Sequence, residues 1–145
     1  MTNSNQDIPL HEYRALAELR YQIRKFVHFS ERMARTAGLE PQQHQLLLAI
    51  KGLPEERRAT IGELAERLQI QHHSTVELVD RLKERGYVRR QRDEEDQRRV
   101  LVHLTAEGEE ILKQLSAIHL AELRTTGPTL VQALSRLLAD TEHGA

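Results

Sequence analysis

The chain has 145 residues, 30% of them charged and 3% aromatic, with a formal net charge of −1 and no cysteine. That length suits one domain with a core of its own, with or without added dimerisation elements. The missing cysteine excludes disulfides, thiol switches, cysteine nucleophiles and thiolate metal sites. No apolar run approaches the roughly 18 residues of a membrane span, and the polar N-terminus lacks a signal-peptide core, so a cytoplasmic location without a membrane partner is expected.

Residues 1–9 are polar and are expected to be flexible. From Leu10 to about Thr36, apolar residues at Leu16, Leu19, Ile23, Phe26, Val27 and Met33 follow helical spacing. Gly38 supplies a helix stop, and Pro41 suits the first turn of a second helix, which runs to Lys51 before Gly52-Leu53-Pro54. Thr60-Ile61-Gly62-Glu63 has the form of a capping box, with threonine and glutamate each satisfying a free amide of the other. The helix it opens places Ile61, Leu64, Ala65 and Leu68 on one stripe. Gln69-Ile70-Gln71 breaks the pattern, and a further period runs through Val76, Val79 and Leu82 to Gly86. Two short helices across a tight turn read as a helix-turn-helix. Ser74-Thr75-Val76-Glu77 also has the form of a capping box, but a start near His72 keeps the turn at the length the motif needs, with Gln71 as a weak cap.

Tyr87–Arg92 and Arg99–Leu104 are two strand-like runs around a charged tip, a β-hairpin placed directly after the helix-turn-helix and so a wing. Asp96, two residues before Arg98, is suited to hold that guanidinium in one orientation for entry into a DNA minor groove; the competing reading is an ordinary surface ion pair. Thr105 is a plausible N-cap for a helix carrying Ile111, Leu112, Leu115, Ile118 and Leu123, which Thr125-Thr126-Gly127-Pro128 is expected to interrupt. A separate last helix then shows Leu130, Val131, Leu134, Leu137 and Leu138, a broad apolar face suited to dimerisation.

Net charge hides a polarised distribution. Between Arg81 and Arg99 lie Arg81, Lys83, Arg85, Arg89, Arg90, Arg92, Arg98 and Arg99, against Glu84, Asp93, Glu94, Glu95 and Asp96. A basic patch on a near-neutral body is the footprint of a DNA binder, and charge alone fits a solvated charged helix and hairpin equally well. Gln71, His72, His73, Ser74 and Thr75 would form the first turn of the recognition helix, the part that faces base edges. Arg81, two turns on, is better suited to a phosphate or an internal salt bridge.

The segments Ile61-Gly62-Glu63-Leu64-Ala65-Glu66-Arg67-Leu68, Val79-Asp80-Arg81-Leu82-Lys83-Glu84-Arg85-Gly86-Tyr87-Val88 and Arg92-Asp93-Glu94-Glu95-Asp96-Gln97-Arg98, continuing to Val102-His103-Leu104-Thr105-Ala106-Glu107-Gly108, resemble in order and spacing the MarR family of bacterial transcription regulators. The resemblance covers about residues 10–140. It implies a mainly α fold with a small β-hairpin wing, residues 54–104 forming the DNA-binding winged helix-turn-helix and residues 10–53 and 105–140 a helical dimerisation region. It further implies a homodimer on a pseudo-palindromic double-stranded DNA operator, commonly a repressor released by a small aromatic or phenolic acid. Tyr21, Arg24, His28 and Phe29 on the first helix and His44 on the second are candidates for such an effector site, an aromatic ring with an arginine suiting an aryl carboxylate.

No glycine-rich phosphate loop, nucleophile elbow or metal triad is present, so neither catalysis nor a cofactor is expected. The eight histidines do not suggest a metal site, since His72 and His73 are adjacent on a helix and point about 100° apart. The alternatives are a winged-helix module that docks proteins without specific DNA binding, or a metal-responsive regulator.

Overall fold

A computed structural model describes residues 7–143, with side chains through Ala139. Its elements are α1 (Leu10–Thr36), α2 (Pro41–Lys51), α3 (Ile61–Leu68), α4 (His72–Glu84), β1 (Val88–Arg92), β2 (Val100–Leu104) and α5 (Ala106–His143). This is the mainly helical fold with a small hairpin that the sequence leads one to expect. Of the N-terminal stretch expected to be flexible, residues 1–6 lie outside those described.

Three helices close with the same backbone device. At the end of α1, Gly38 takes a φ of +86° and Leu39 N–H reaches back to Ala34 O at 2.9 Å. After α4, Gly86 takes +82° and Tyr87 N–H donates to Leu82 O at 2.9 Å. The third case lacks glycine. Gln69 adopts a φ of 57° while Ile70 N–H donates to Ala65 O at 3.1 Å. Its side-chain amide donates to Glu66 O at 2.9 Å, a local bond that helps offset the cost of the left-handed conformation. Only Gln69, Ile70 and Gln71 separate α3 from α4, and α4 starts at His72, without a side-chain cap from Gln71.

Two expectations need correction. Thr60 Oγ1 accepts Glu63 N–H at 3.1 Å, but Glu63 does not return to Thr60. Its carboxylate lies instead 2.9 Å from Arg67 Nε and 3.5 Å from Arg57 Nη1, cations that attract it more strongly than a neutral amide does. The second correction concerns the last helices, which are one: α5 continues through Thr125-Thr126-Gly127-Pro128. Proline's φ is compatible with a helix, and Gly127 spares it the clash with a preceding Cβ, one of its steric demands. The costs that remain are the missing N–H of Pro128 and the crowding of its ring against the carbonyl of Arg124.

The chain divides into two compact units, one formed by residues up to Ser30 and from Ile118 onward, the other by Glu31–Ala117. In the second unit, Ala34, Leu39, Leu46, Leu47, Leu64, Val79, Leu82, Val88, Val102, Leu112 and Leu115 form one buried cluster. Helix α2 therefore shares its core with the helix-turn-helix. The hairpin pairs Val88 with Leu104 and Arg92 with Val100, and Val102 N–H also donates to Ala59 O at 2.9 Å, which secures the hairpin beside the entry to α3. Thr105 caps α5 through Gly108 N–H at 3.1 Å while its hydroxyl donates to Gly86 O at 2.6 Å. Within the first unit, Phe26 and Phe29 stand edge-on to His119 with ring centroids 6.0 and 5.5 Å away, and His119 Nε2 lies 2.8 Å from Ser30 Oγ.

Candidate nucleic-acid interface

Helix α4 turns Thr75, Val79 and Leu82 into the core, which leaves Gln71, His72, His73, Glu77 and Arg81 exposed and Ser74 half-buried. Four of the five residues expected at its first turn are thus accessible. Thr75 is not. It is fully buried, and its hydroxyl donates to Gln71 O at 3.0 Å, because it lies one turn before Val79 on the inward stripe. Its place is in the packing that holds the first turn.

The wing is built around two carboxylates. Asp96 Oδ1 accepts both the backbone N–H of Arg98 at 3.1 Å and its Nε at 3.2 Å. The Arg98 side chain is 92% exposed, so the guanidinium projects from the tip with its Nε beside Asp96. Sequence reasoning missed the second carboxylate. Asp93, 2% exposed, accepts Glu95 N–H at 2.9 Å and receives Arg99 Nη2 at 2.8 Å. Backbone bonds from Asp93 N–H to Arg99 O and from Arg99 N–H to Asp96 O, at 3.0 and 2.9 Å, complete the turn. Arg92 Nη1 donates to Gln97 O at 2.6 Å, and Arg58 Nη2 meets Glu95 Oε2 at 2.9 Å from the loop before α3. On the hairpin's first leg, Arg90 Nη2 donates to Asp80 Oδ1 at 2.6 Å and so ties the wing to α4. In the sequence Asp93 is one of four consecutive acids, and only its burial marks it as the turn's internal anchor.

Electrostatics agree with the geometry. The N–H of Glu95 holds the Asp93 carboxyl below its ordinary value, with Arg99 adding to the effect against the opposing penalty of burial. Asp96 is lowered first by the Arg98 side chain and next by the Arg98 N–H. His103, opposite Arg89 in the hairpin register, is shifted down by burial and then by the Arg89 charge.

Arg85 takes a different part from the other basic residues. Its Nη1 donates to Gly38 O at 2.6 Å and lies 3.4 Å from Gln43 Oε1, which holds the end of α4 against the turn between α1 and α2. Of the effector candidates, Tyr21, Arg24 and His28 are exposed and Phe29 is half-buried in the first unit, with Lys25 Nζ 5.1 Å from the Tyr21 ring centroid. His44, 2% exposed, lies in the second unit. A cavity of about 470 Å³ in the first unit is lined instead by His11, Arg14, Ala15, Glu18, Arg136 and Ala139. Val131, Leu134 and Leu138 are exposed, while Leu130 and Leu137 are half-buried. Among the described residues no cluster of metal-binding side chains is found, and no helix is long and apolar enough to cross a membrane.

A helix-turn-helix followed by a wing with an arginine fixed at its tip defines a winged helix-turn-helix protein. Residues 37–99, from the end of α1 to the wing tip, match the model of the MarR family. The chain is 38% identical over 56 residues to the uncharacterized HTH-type transcriptional regulator YsmB of Bacillus subtilis, a match covering 39% of this chain and 38% of that protein. The chain thus spans well under two thirds of the length of that relative. It is 29% identical over 125 residues to a putative transcriptional regulatory protein for the hcr operon of Thauera aromatica, covering 86% of this chain and 69% of that one. Among solved structures, AbsC, a MarR family transcriptional regulator from Streptomyces coelicolor, has the same fold with a TM-score of 0.71 at 19% identity, over 97% of this chain and 100% of that chain. A single-residue mutant of Staphylococcus aureus MepR bound to an oligodeoxyribonucleotide matches with a TM-score of 0.64 at 17% identity, over 89% of this chain and 97% of that chain.

Proposed function

We propose that this protein is a sequence-specific DNA-binding transcription regulator that acts as a homodimeric repressor and is released by a small aromatic or phenolic ligand. The observation that carries the DNA reading is Arg98, extended from the wing tip while Asp96 accepts both its N–H and its Nε. An ordered arginine presented this way matches the width and negative potential of a minor groove. The accessible first turn of α4 supplies the complementary major-groove element. A relative's fold seen on an oligonucleotide supports the same reading.

Dimerisation is supported by the apolar surface of the first unit, where Leu16, Ile23, Val27, Val131, Leu134 and Leu138 are all exposed. Two copies would read two half-sites about 34 Å apart. The effector proposal rests on the family resemblance, with Tyr21, Arg24, His28, Phe29 and His44 as its candidate contacts.

A mobility-shift titration on DNA from upstream of the protein's own gene, repeated over a salt series, tests the reading. Specific binding with a steep negative dependence on salt is expected from phosphate neutralisation. Absence of a shift, or equal affinity for every duplex, would overturn specific recognition. Addition of aryl carboxylates and phenols to the bound complex tests the release.

A further inference from the structure

The outward face of α4 carries two carboxylates that no described residue pairs, Glu84 at its C-terminal end and Glu77 near its middle, closer to the first turn. Glu77 lies two residues after Thr75 and two before Val79, about 200° around the axis from each at 3.6 residues per turn. It is exposed, with His73 one turn before it and Arg81 one turn after. A glutamate four residues before an arginine is the favourable orientation for a helix ion pair. Yet Glu77 makes no ion pair or side-chain hydrogen bond with any described residue, and Arg81 does not close on it.

A free carboxylate on a face presented to DNA is repelled by phosphates unless it reaches a base edge that donates to it. In the major groove, cytosine offers its N4 amino group as a donor. Adenine's N6 donor lies beside the N7 acceptor, whereas guanine presents N7 and O6 acceptors and thymine an O4 acceptor and a methyl group. Cytosine is therefore the base whose own major-groove edge offers a glutamate a donor and no acceptor.

We propose that Glu77 is a specificity-determining residue that accepts a hydrogen bond from cytosine N4 in each half-site, so that the operator holds a C·G pair at one symmetric position. This rests on the DNA-binding reading above and adds to it the base that α4 selects. It also accounts for an unpaired acid between His73 and Arg81, on a face where Asp80 is taken up by Arg90 and Glu84 lies at the far end of the helix.

The test is selection of bound sequences from a randomised duplex pool by the full-length protein, by Glu77→Gln and by Glu77→Ala, followed by affinities on single-position variants. The wild type is expected to select a cytosine in each half-site. Glu77→Ala should lose that preference and Glu77→Gln should move it to adenine, whose N6 and N7 a glutamine pairs, with every other position unchanged. Replacing the cytosine should weaken wild-type binding on the order of tenfold per half-site and leave Glu77→Ala almost unaffected. Variants that select the same sequence while binding every duplex more tightly would show Glu77 to be only a repelled surface acid. A wild type that selects no sequence would overturn the DNA-recognition reading itself, and this inference with it.

Discussion

Asp93 joins the two legs of the hairpin: its carboxylate is buried, with Oδ1 accepting Glu95 N–H and Oδ2 receiving Arg99 Nη2 at 2.8 Å. Removing it would leave an amide and a guanidinium without their partner inside the turn. Asp93→Ala is therefore expected to loosen the wing tip and weaken DNA binding while the helical core stays intact. Amide exchange should rise at Glu95 and Arg99, with far-ultraviolet circular dichroism unchanged. Because Asp93 and Asp96 are both held below their ordinary value, the order they provide is present above the usual carboxylate range. It is lost as pH falls through the lowered values, a change that amide shifts of Glu95 and Arg98 should follow in acid.

Arg98→Ala should cost roughly 1–3 kcal/mol of DNA affinity per half-site if the guanidinium reads the groove. Asp96→Ala should do part of the same damage although it removes a negative charge. Fluorescence anisotropy with a labelled operator separates the two effects. Tighter binding by Asp96→Ala would mean that the carboxylate is merely repelled.

His103 gives a pH dependence of the opposite chemical kind. Burial and Arg89 favour its neutral form in the fold, so its folded pKa lies below the unfolded value of about 6.5. For a base shifted this way, the stability is present above the unfolded value and is lost as pH falls through the folded one. Urea unfolding between about pH 7 and pH 5 should show a loss of stability that is smaller in His103→Gln, since the window begins at the reference pKa. An identical slope in both proteins would remove His103 from the account.

A methyl group at Gly108 would lie 2.1 Å from Tyr87 O, a contact with backbone that no rotamer relieves. Gly108→Ala should destabilise the fold by about 2 kcal/mol or more, as overpacking generally does. Gly62→Ala is the control, because nothing lies within 4 Å of its added Cβ. Thermal unfolding of the two variants should therefore move in clearly different ways.

The exposed apolar residues late in α5 test the proposed dimer without disturbing a buried position. Val131 is 64% exposed and Leu138 58%, so changing both to glutamate should leave each chain folded. A charge at these positions would be costly to bury against a second copy. Light scattering should report monomers, and DNA affinity should fall. A dimer of undiminished stability would place the interface elsewhere.

The sequence by itself determined the elements whose cause is local. Helical spacing set α1 and α2, Gly38 and Gly86 marked helix ends, Thr105 capped α5, and the length of the helix-turn-helix turn put the start of α4 at His72. The Asp96 and Arg98 pairing was also legible, because two residues of separation suffice to form it. What only the tertiary structure decided involves partners distant in sequence or a balance of competing partners. Thr75 looks like a hydroxyl available to DNA until packing buries it beside Val79, and Glu63 abandons its capping role for two arginines. Gly127-Pro128 reads as a break, but the helix continues through it, with the glycine sparing the clash of a preceding Cβ and the rest of the long helix bearing the remaining cost. Arg58, reaching Glu95 across 37 positions, and Arg85, reaching Gly38 across 47, belong to the same class. Their roles follow from where the fold puts two chain segments, and neither local propensity nor residue spacing contains that information.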